Sequence, residues 1–131
     1  MKCKNWERVL IQAIMDSHST KFEWGISDCI MWSAGILEKY TGIDIAAEFR
    51  GTYNTEEEVF NILKEKNLYT RICEKLGKPI DNINFVMRGD LVMSNKNEAG
   101  ICIGQRAAFL TKDEGPTFYN ISDCKYAWKV D

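Results

Sequence analysis

Apolar residues recur along this chain at two different spacings, and the spacing changes after Pro79. Trp6, Val9, Leu10, Ala13 and Ile14 fall at helical intervals and predict a first helix, with Asn5 placed to cap its free amides. The polar run Ser17-His18-Ser19-Thr20 ends it. After the loop Phe22-Glu23-Trp24-Gly25, Ser27 or Asp28 is placed as the N-cap of a second helix. Cys29, Trp32, Ile36, Leu37 and Tyr40 form one face of that helix, which stops at Thr41-Gly42. Asp44 is placed to cap a short helix through Phe49, ended by Gly51. Thr55 and Glu58 have the spacing of a capping box, followed by Val59, Phe60 and Leu63 as a buried stripe. Leu68, Ile72, Cys73 and Leu76 predict another short helix, closed by Gly77 and Pro79.

Beyond Pro79 the pattern becomes strand-like. Asp90 to Met93, Gly100 to Gly104, Ala107 to Thr111, Thr117 to Ile121 and Tyr126 to Val130 read as short strands, with turns at Ser94 to Glu98 and Lys112 to Gly115. Helices followed by strands on tight turns predict an α+β domain with an antiparallel sheet of about five strands. The expectation is one domain over residues 1–131, with a helical part at about 5–77 and a sheet part at about 84–130.

Composition narrows the function classes. Seventeen basic against nineteen acidic residues leave a net charge of −2, so charge offers no reason to expect nucleic acid or anionic lipid as a partner. Hydrophobic residues make up 45% of the chain, enough to build a core without a metal or cofactor. The apolar stretches fall far short of the roughly 20 residues of a membrane span, and the start of the chain is amphipathic rather than leader-like. The expected location is therefore the cytoplasm. The five cysteines, Cys3, Cys29, Cys73, Cys102 and Cys124, are odd in number and include no C-x-x-C pair, a spacing that suggests neither a disulfide framework nor a zinc site.

Cys29 sits where chemistry is possible. At the start of a helix, unpaired amides and the positive dipole end stabilise a thiolate, and the same amides can hold the oxyanion of an acyl-transfer intermediate. A cysteine on an apolar face is also an ordinary small core residue. Phe22 and Trp24, beside it in sequence, are candidates to line a groove together with Asp28.

These residues carry a resemblance. Phe22-x-Trp24-Gly25-x-x-Asp28-Cys29 is similar to the nucleophile segment of NlpC-type cysteine peptidases, in which Asp-Cys opens a helix. Arg88-Gly89-Asp90-Leu91-Val92 and Gly100-Ile101-Cys102-Ile103-Gly104 resemble that family's first two strands. Thr41-Gly42-Ile43-Asp44, Phe49-Arg50-Gly51-Thr52-Tyr53 and Ala127-Trp128 resemble motifs of a related group of phage and prophage proteins. The resemblance implies a papain-like NlpC-type fold, a tail-associated phage or prophage setting, and Cys29 as the family's nucleophile.

One position departs from the pattern. Aligning Gly100-Ile101 with the family's Gly-Ile puts Glu98 where its catalytic histidine belongs. A carboxylate beside a thiol raises the thiol pKa and is a poor base for it. The single histidine, His18, lies before the Phe22 loop and is the alternative base. Asp28, Asp90 and Asp123 are further acid–base candidates, each with a structural explanation as cap, turn or loop residue. The leading expectation is a non-catalytic, peptidase-shaped protein with an assembly or binding role towards another phage or prophage protein, made in the cytoplasm and incorporated in the phage particle. The alternative is a cysteine hydrolase of peptide or amide bonds, acting on peptidoglycan peptide through Cys29. A thiol acyltransferase would need the same missing base.

Overall fold

The computed structural model describes residues 2–131, and its order of elements follows the change in spacing. Four helices come first: α1 (Trp6–Asp16), α2 (Cys29–Thr41), α3 (Glu56–Glu65) and α4 (Leu68–Leu76). Five strands follow: β1 (Leu91–Ser94), β2 (Ala99–Cys102), β3 (Arg106–Thr111), β4 (Gly115–Asn120) and β5 (Cys124–Trp128). The protein is α+β, with one antiparallel sheet in the order β4-β3-β2-β1-β5. Each observed strand is shifted by one or two residues, at one end or both, from the span its apolar pattern suggested.

Helix α2 is the centre of the molecule. Ile30, Met31, Trp32, Ser33, Ala34, Ile36, Leu37 and Tyr40 are all buried, so α2 is enclosed on most of its circumference rather than on one face. It packs between α1 and strands β2 and β3. That arrangement suits a helix whose sequence is apolar nearly all round.

The sheet is covered on both faces. Towards the helices, Leu91, Met93, Ala99, Ile101, Ala108, Leu110 and Trp128 join the main core. On the outer face, Val92, Cys102, Ala107, Phe109, Cys124 and Ala127 form a second cluster. Ile80, Ile83 and Val86, from the segment linking α4 to β1, pack onto that cluster together with Tyr119 and Ile121. At Gly100 an added Cβ would lie 2.4 Å from the Phe109 ring, so only glycine lets that ring lie over β2.

Three local expectations need correction. Asn5 occupies the N-cap position of α1, but its side chain caps nothing; the Val9 amide bonds its carbonyl instead. Residues 45–51 form consecutive turns and no helix, although Asp44 does accept from the Ala46 amide. Phe60 is 55% exposed, because Val59, Ile62 and Leu63 already fill the inward arc and Phe60 stands about 100° round the helix from Val59. The capping box of α3 is present in modified form: Thr55 accepts from the Glu58 amide, while Glu58 reaches back to the Asn54 amide.

Candidate functional site

Asp28 is the N-cap of α2, and its carboxylate is buried and fully used. Oδ1 accepts from the amides of Ile30 and Met31 at 3.0 and 2.9 Å. Oδ2 accepts from the Gly25 amide at 2.9 Å and from the Tyr53 hydroxyl at 2.5 Å. Gly25 has φ +82°, and a Cβ there would lie 2.2 Å from the Tyr53 carbonyl oxygen. The Trp24-Gly25 turn, the start of α2 and the segment ending at Tyr53 are thus locked together at one point. A second lock lies beside it: Arg50 pairs with Asp44 through two nitrogens and directs Nη1 at the Met31 sulfur, 3.5 Å away. The Arg50 guanidinium holds the Asp44 carboxyl below the usual carboxylate range.

These locks place Cys29, the first residue of α2, at the side of a cleft of about 720 Å³. Trp24, Phe60, Tyr69 and Tyr126 wall the cleft, and Glu98 lines it from the turn between β1 and β2. That turn is fixed by Asn97, whose φ of 65° is left-handed, and by Ser94. The Ser94 hydroxyl donates to the Glu98 carboxylate at 3.1 Å and accepts from the Glu98 amide. Tyr69 and Tyr126, both lining the cleft, pack with ring centroids 4.6 Å apart and planes tilted by 50°.

The half-buried Cys29 thiol is pushed up to about 12. Burial is the main cause; the Ala99 amide opposes it, the carboxylates of Asp28 and Glu98 add to it, and the Ile30 amide opposes it more weakly. At neutral pH the sulfur is therefore a protonated thiol. The amides of Ile30 and Ala99 turned towards it are donors of the kind an oxyanion would use, but no imidazole lines the cleft.

A family model described as a domain of unknown function, DUF6950, matches residues 1–130. The chain belongs to the DUF6950 family. No curated protein matches it. The match runs through both halves of the molecule, so the cleft between helices and sheet lies within the family domain.

In this DUF6950 chain the residues singled out in the sequence fall into separate places. Cys29, Glu98, Trp24 and Asp28 come together at the cleft, although the Asp28 side chain is only 1% exposed and serves as the cap. Phe22 stands behind the cleft, edge-on to Trp24 with centroids 4.7 Å apart. His18 lines a different cavity of about 190 Å³, with Trp32 and Phe118. With its proton on Nδ1, its ring donates to the Met15 carbonyl at 3.2 Å. The neighbouring Ser17 accepts from Trp32 Nε1 at 2.9 Å, which ties the end of α1 to α2.

Asp90 is a buried staple, accepting from the amides of Met87 and Val130. Asp123 is exposed, and its carbonyl accepts from the Asn95 amide. Among the described residues no group of three or more His, Cys, Asp or Glu is placed to hold a metal ion, and no helix is long and apolar enough to cross a membrane.

The sequence reading missed Phe60, Tyr69 and Tyr126 as cleft walls. A signal existed for Phe60, expected in the buried stripe, because Val59, Ile62 and Leu63 complete an inward arc without it. Tyr69 and Tyr126 carried none, because they meet only when α4 packs beside β5.

Proposed function

We propose that this DUF6950 protein is a non-catalytic module on the NlpC-type, papain-like plan, and that its cleft holds a segment of another protein of a phage or prophage, in the tail. The phage setting rests on the sequence motifs. The order of a helix-opening cysteine, a helical insert and an antiparallel sheet supports the plan. The observation that carries this reading is the setting of Cys29: Glu98 lines the same cleft, burial together with the carboxylates of Asp28 and Glu98 pushes the thiol up to about 12, and the lone imidazole lines another cavity. What remains is a walled cleft of four aromatic rings, a surface suited to an apolar side chain.

The test is co-expression with phage tail proteins, using wild type, Cys29→Ser and Phe60→Asp. The expected complex survives Cys29→Ser and is lost with Phe60→Asp. Release of peptides from peptidoglycan by the wild type, abolished by Cys29→Ser, would overturn the proposal. That result would favour the second reading, a hydrolase whose base comes from a partner. The amides of Ile30 and Ala99 at the sulfur are the one feature that speaks for it.

A further inference from the structure

Strand β4 is one edge of the sheet, and from Gly115 to Asn120 it carries no charged residue. Edge strands are normally blunted by charge, a bulge, a proline or a covering segment. The other edge, β5, has a register shift against β1, and the Ile80 amide bonds its Ala127 carbonyl at 2.7 Å. Strand β4 has Pro116, and the end of α1 shares a cavity with Pro116, Thr117 and Phe118 but makes no backbone hydrogen bond to them.

The bonds next to β4 show which of its groups face outward. The Ile121 amide donates to the Gln105 carbonyl, across the end of the β3–β4 pair. The Ile103 amide donates to the Arg106 carbonyl, which fixes the alternation on β3 from its other side. Backbone groups alternate with period two along a strand. Thr117 and Tyr119, opposite Phe109 and Ala107, therefore turn their N–H and C=O towards β3. Pro116, Phe118 and Asn120 turn theirs away from the sheet. None of these three forms a backbone hydrogen bond to a segment outside the sheet. The Asn120 carbonyl faces the Cys124 thiol at 3.9 Å.

We propose that β4 is the docking edge for a second copy of this chain, paired antiparallel about a two-fold axis at Phe118. In that register the two Phe118 residues exchange both N–H···O=C bonds. Each Asn120 N–H meets the other copy's Pro116 carbonyl. Proline brings no N–H, and the group it would have served is the Asn120 carbonyl that already faces Cys124. Donors and acceptors come out matched. An axis at Thr117 would leave both Phe118 carbonyls against prolines. An axis at Tyr119 would send both Phe118 amides to the occupied Asn120 carbonyls. The self-complementary register matches the isologous contact of a two-fold dimer. Phe118 is 45% exposed, with the Arg106 guanidinium 5.5 Å from its ring, and two such rings would meet across the junction. This edge is separate from the Cys29 cleft, and the inference does not depend on what the cleft binds.

Sedimentation equilibrium over a wide concentration range tests it, on wild type, Phe118→Pro and Phe85→Ser, the last altering an apolar residue 72% exposed elsewhere. Wild type and Phe85→Ser are expected to approach twice the 15.1 kDa of one chain, and Phe118→Pro to stay at 15.1 kDa with unchanged circular dichroism. The outward amide that proline removes serves no bond within the chain. If Phe118→Pro does not fold, cross-linking decides the matter. With oxidised glutathione as the oxidant, Phe118→Cys in a Cys3→Ser chain is expected to form a disulfide dimer, since opposed hydrogen-bonded residues lie about 5.5 Å apart. Wild type monomeric at every concentration overturns the proposal. So does a dimer that Phe118→Pro leaves intact, or cross-linking no faster at residue 118 than at the exposed Asn84→Cys.

Discussion

The hydroxyl of Tyr53 donates to the carboxylate of Asp28 across 25 positions of sequence, and this bond joins two motifs that look unrelated along the chain. Both residues are buried, and the bond burdens the tyrosine: burial, then the bond to Asp28, push the phenol up. Replacing Tyr53 with Phe leaves Asp28 Oδ2 with only the Gly25 amide. The expected cost is about 1.5–3 kcal/mol, the range for a hydrogen bond to a charged group. Urea unfolding of Tyr53→Phe measures it, and a cost near zero would show that the lock does not hold α2 in place.

Cys29 is expected to lag behind Cys3 in native alkylation at pH 7 to 8, because Cys3 is exposed and the Cys29 thiol is held protonated. Glu98→Gln removes one of the two carboxylates raising it. Each unit by which the pKa falls gives about tenfold more thiolate at fixed pH, so alkylation of Cys29 should quicken in that variant. Residue-resolved mass spectrometry reads the rate. An unchanged rate would mean that Glu98 has no influence on the sulfur.

Alkaline pH should unfold this protein earlier than mild acid does. Tyr40 and Tyr53 are pushed up mainly by burial, Tyr119 to about 12, Cys29 to about 12 and Cys124 to about 11. Each is raised on folding, so its contribution is complete below the unfolded value, about 8.5 for a thiol and about 10 for a phenol. Above that value the unfolded chain releases protons that the folded chain keeps, and stability falls by about 1.4 kcal/mol per pH unit per proton. Urea midpoints measured from pH 7 to 11 should be flat at first and then decline from about pH 9. A midpoint that holds to pH 11 would contradict these shifts.

Phe60 and Leu37 separate the cleft from the core. Phe60→Ser should change stability by less than about 0.5 kcal/mol, since Phe60 is 55% exposed, yet weaken the binding proposed for the cleft. Leu37→Ala, at a site 1% exposed, should cost about 2–5 kcal/mol. Calorimetry on the two variants tests the contrast, and a large loss in Phe60→Ser would make it a core residue after all.

Much of the fold was legible because its signals are local. A capping carboxylate at Asp28, the Gly42 stop and the capping box at Thr55 act within one helical turn of the residues that carry them. The short helix expected after Asp44 failed for the complementary reason. Asp44 does cap the following turn, but Arg50 pairs back onto its carboxylate and residues 45–51 close as turns instead. Of the candidate site, the sequence supplied Cys29 and Glu98, and it left open whether His18 could reach the thiol.

By itself, then, the sequence determined where helices give way to strands and narrowed the cap of α2 to Ser27 or Asp28, because periodicity and capping are set within a few neighbouring positions. The tertiary structure alone decided that Tyr53 completes the Asp28 cap, that His18 and Cys29 line separate cavities on α2, and that Phe60, Tyr69 and Tyr126 wall one cleft. Those outcomes depend on how α3, α4 and β5 pack around α2. Packing joins residues far apart in the chain through shape and burial, which no short stretch of sequence contains.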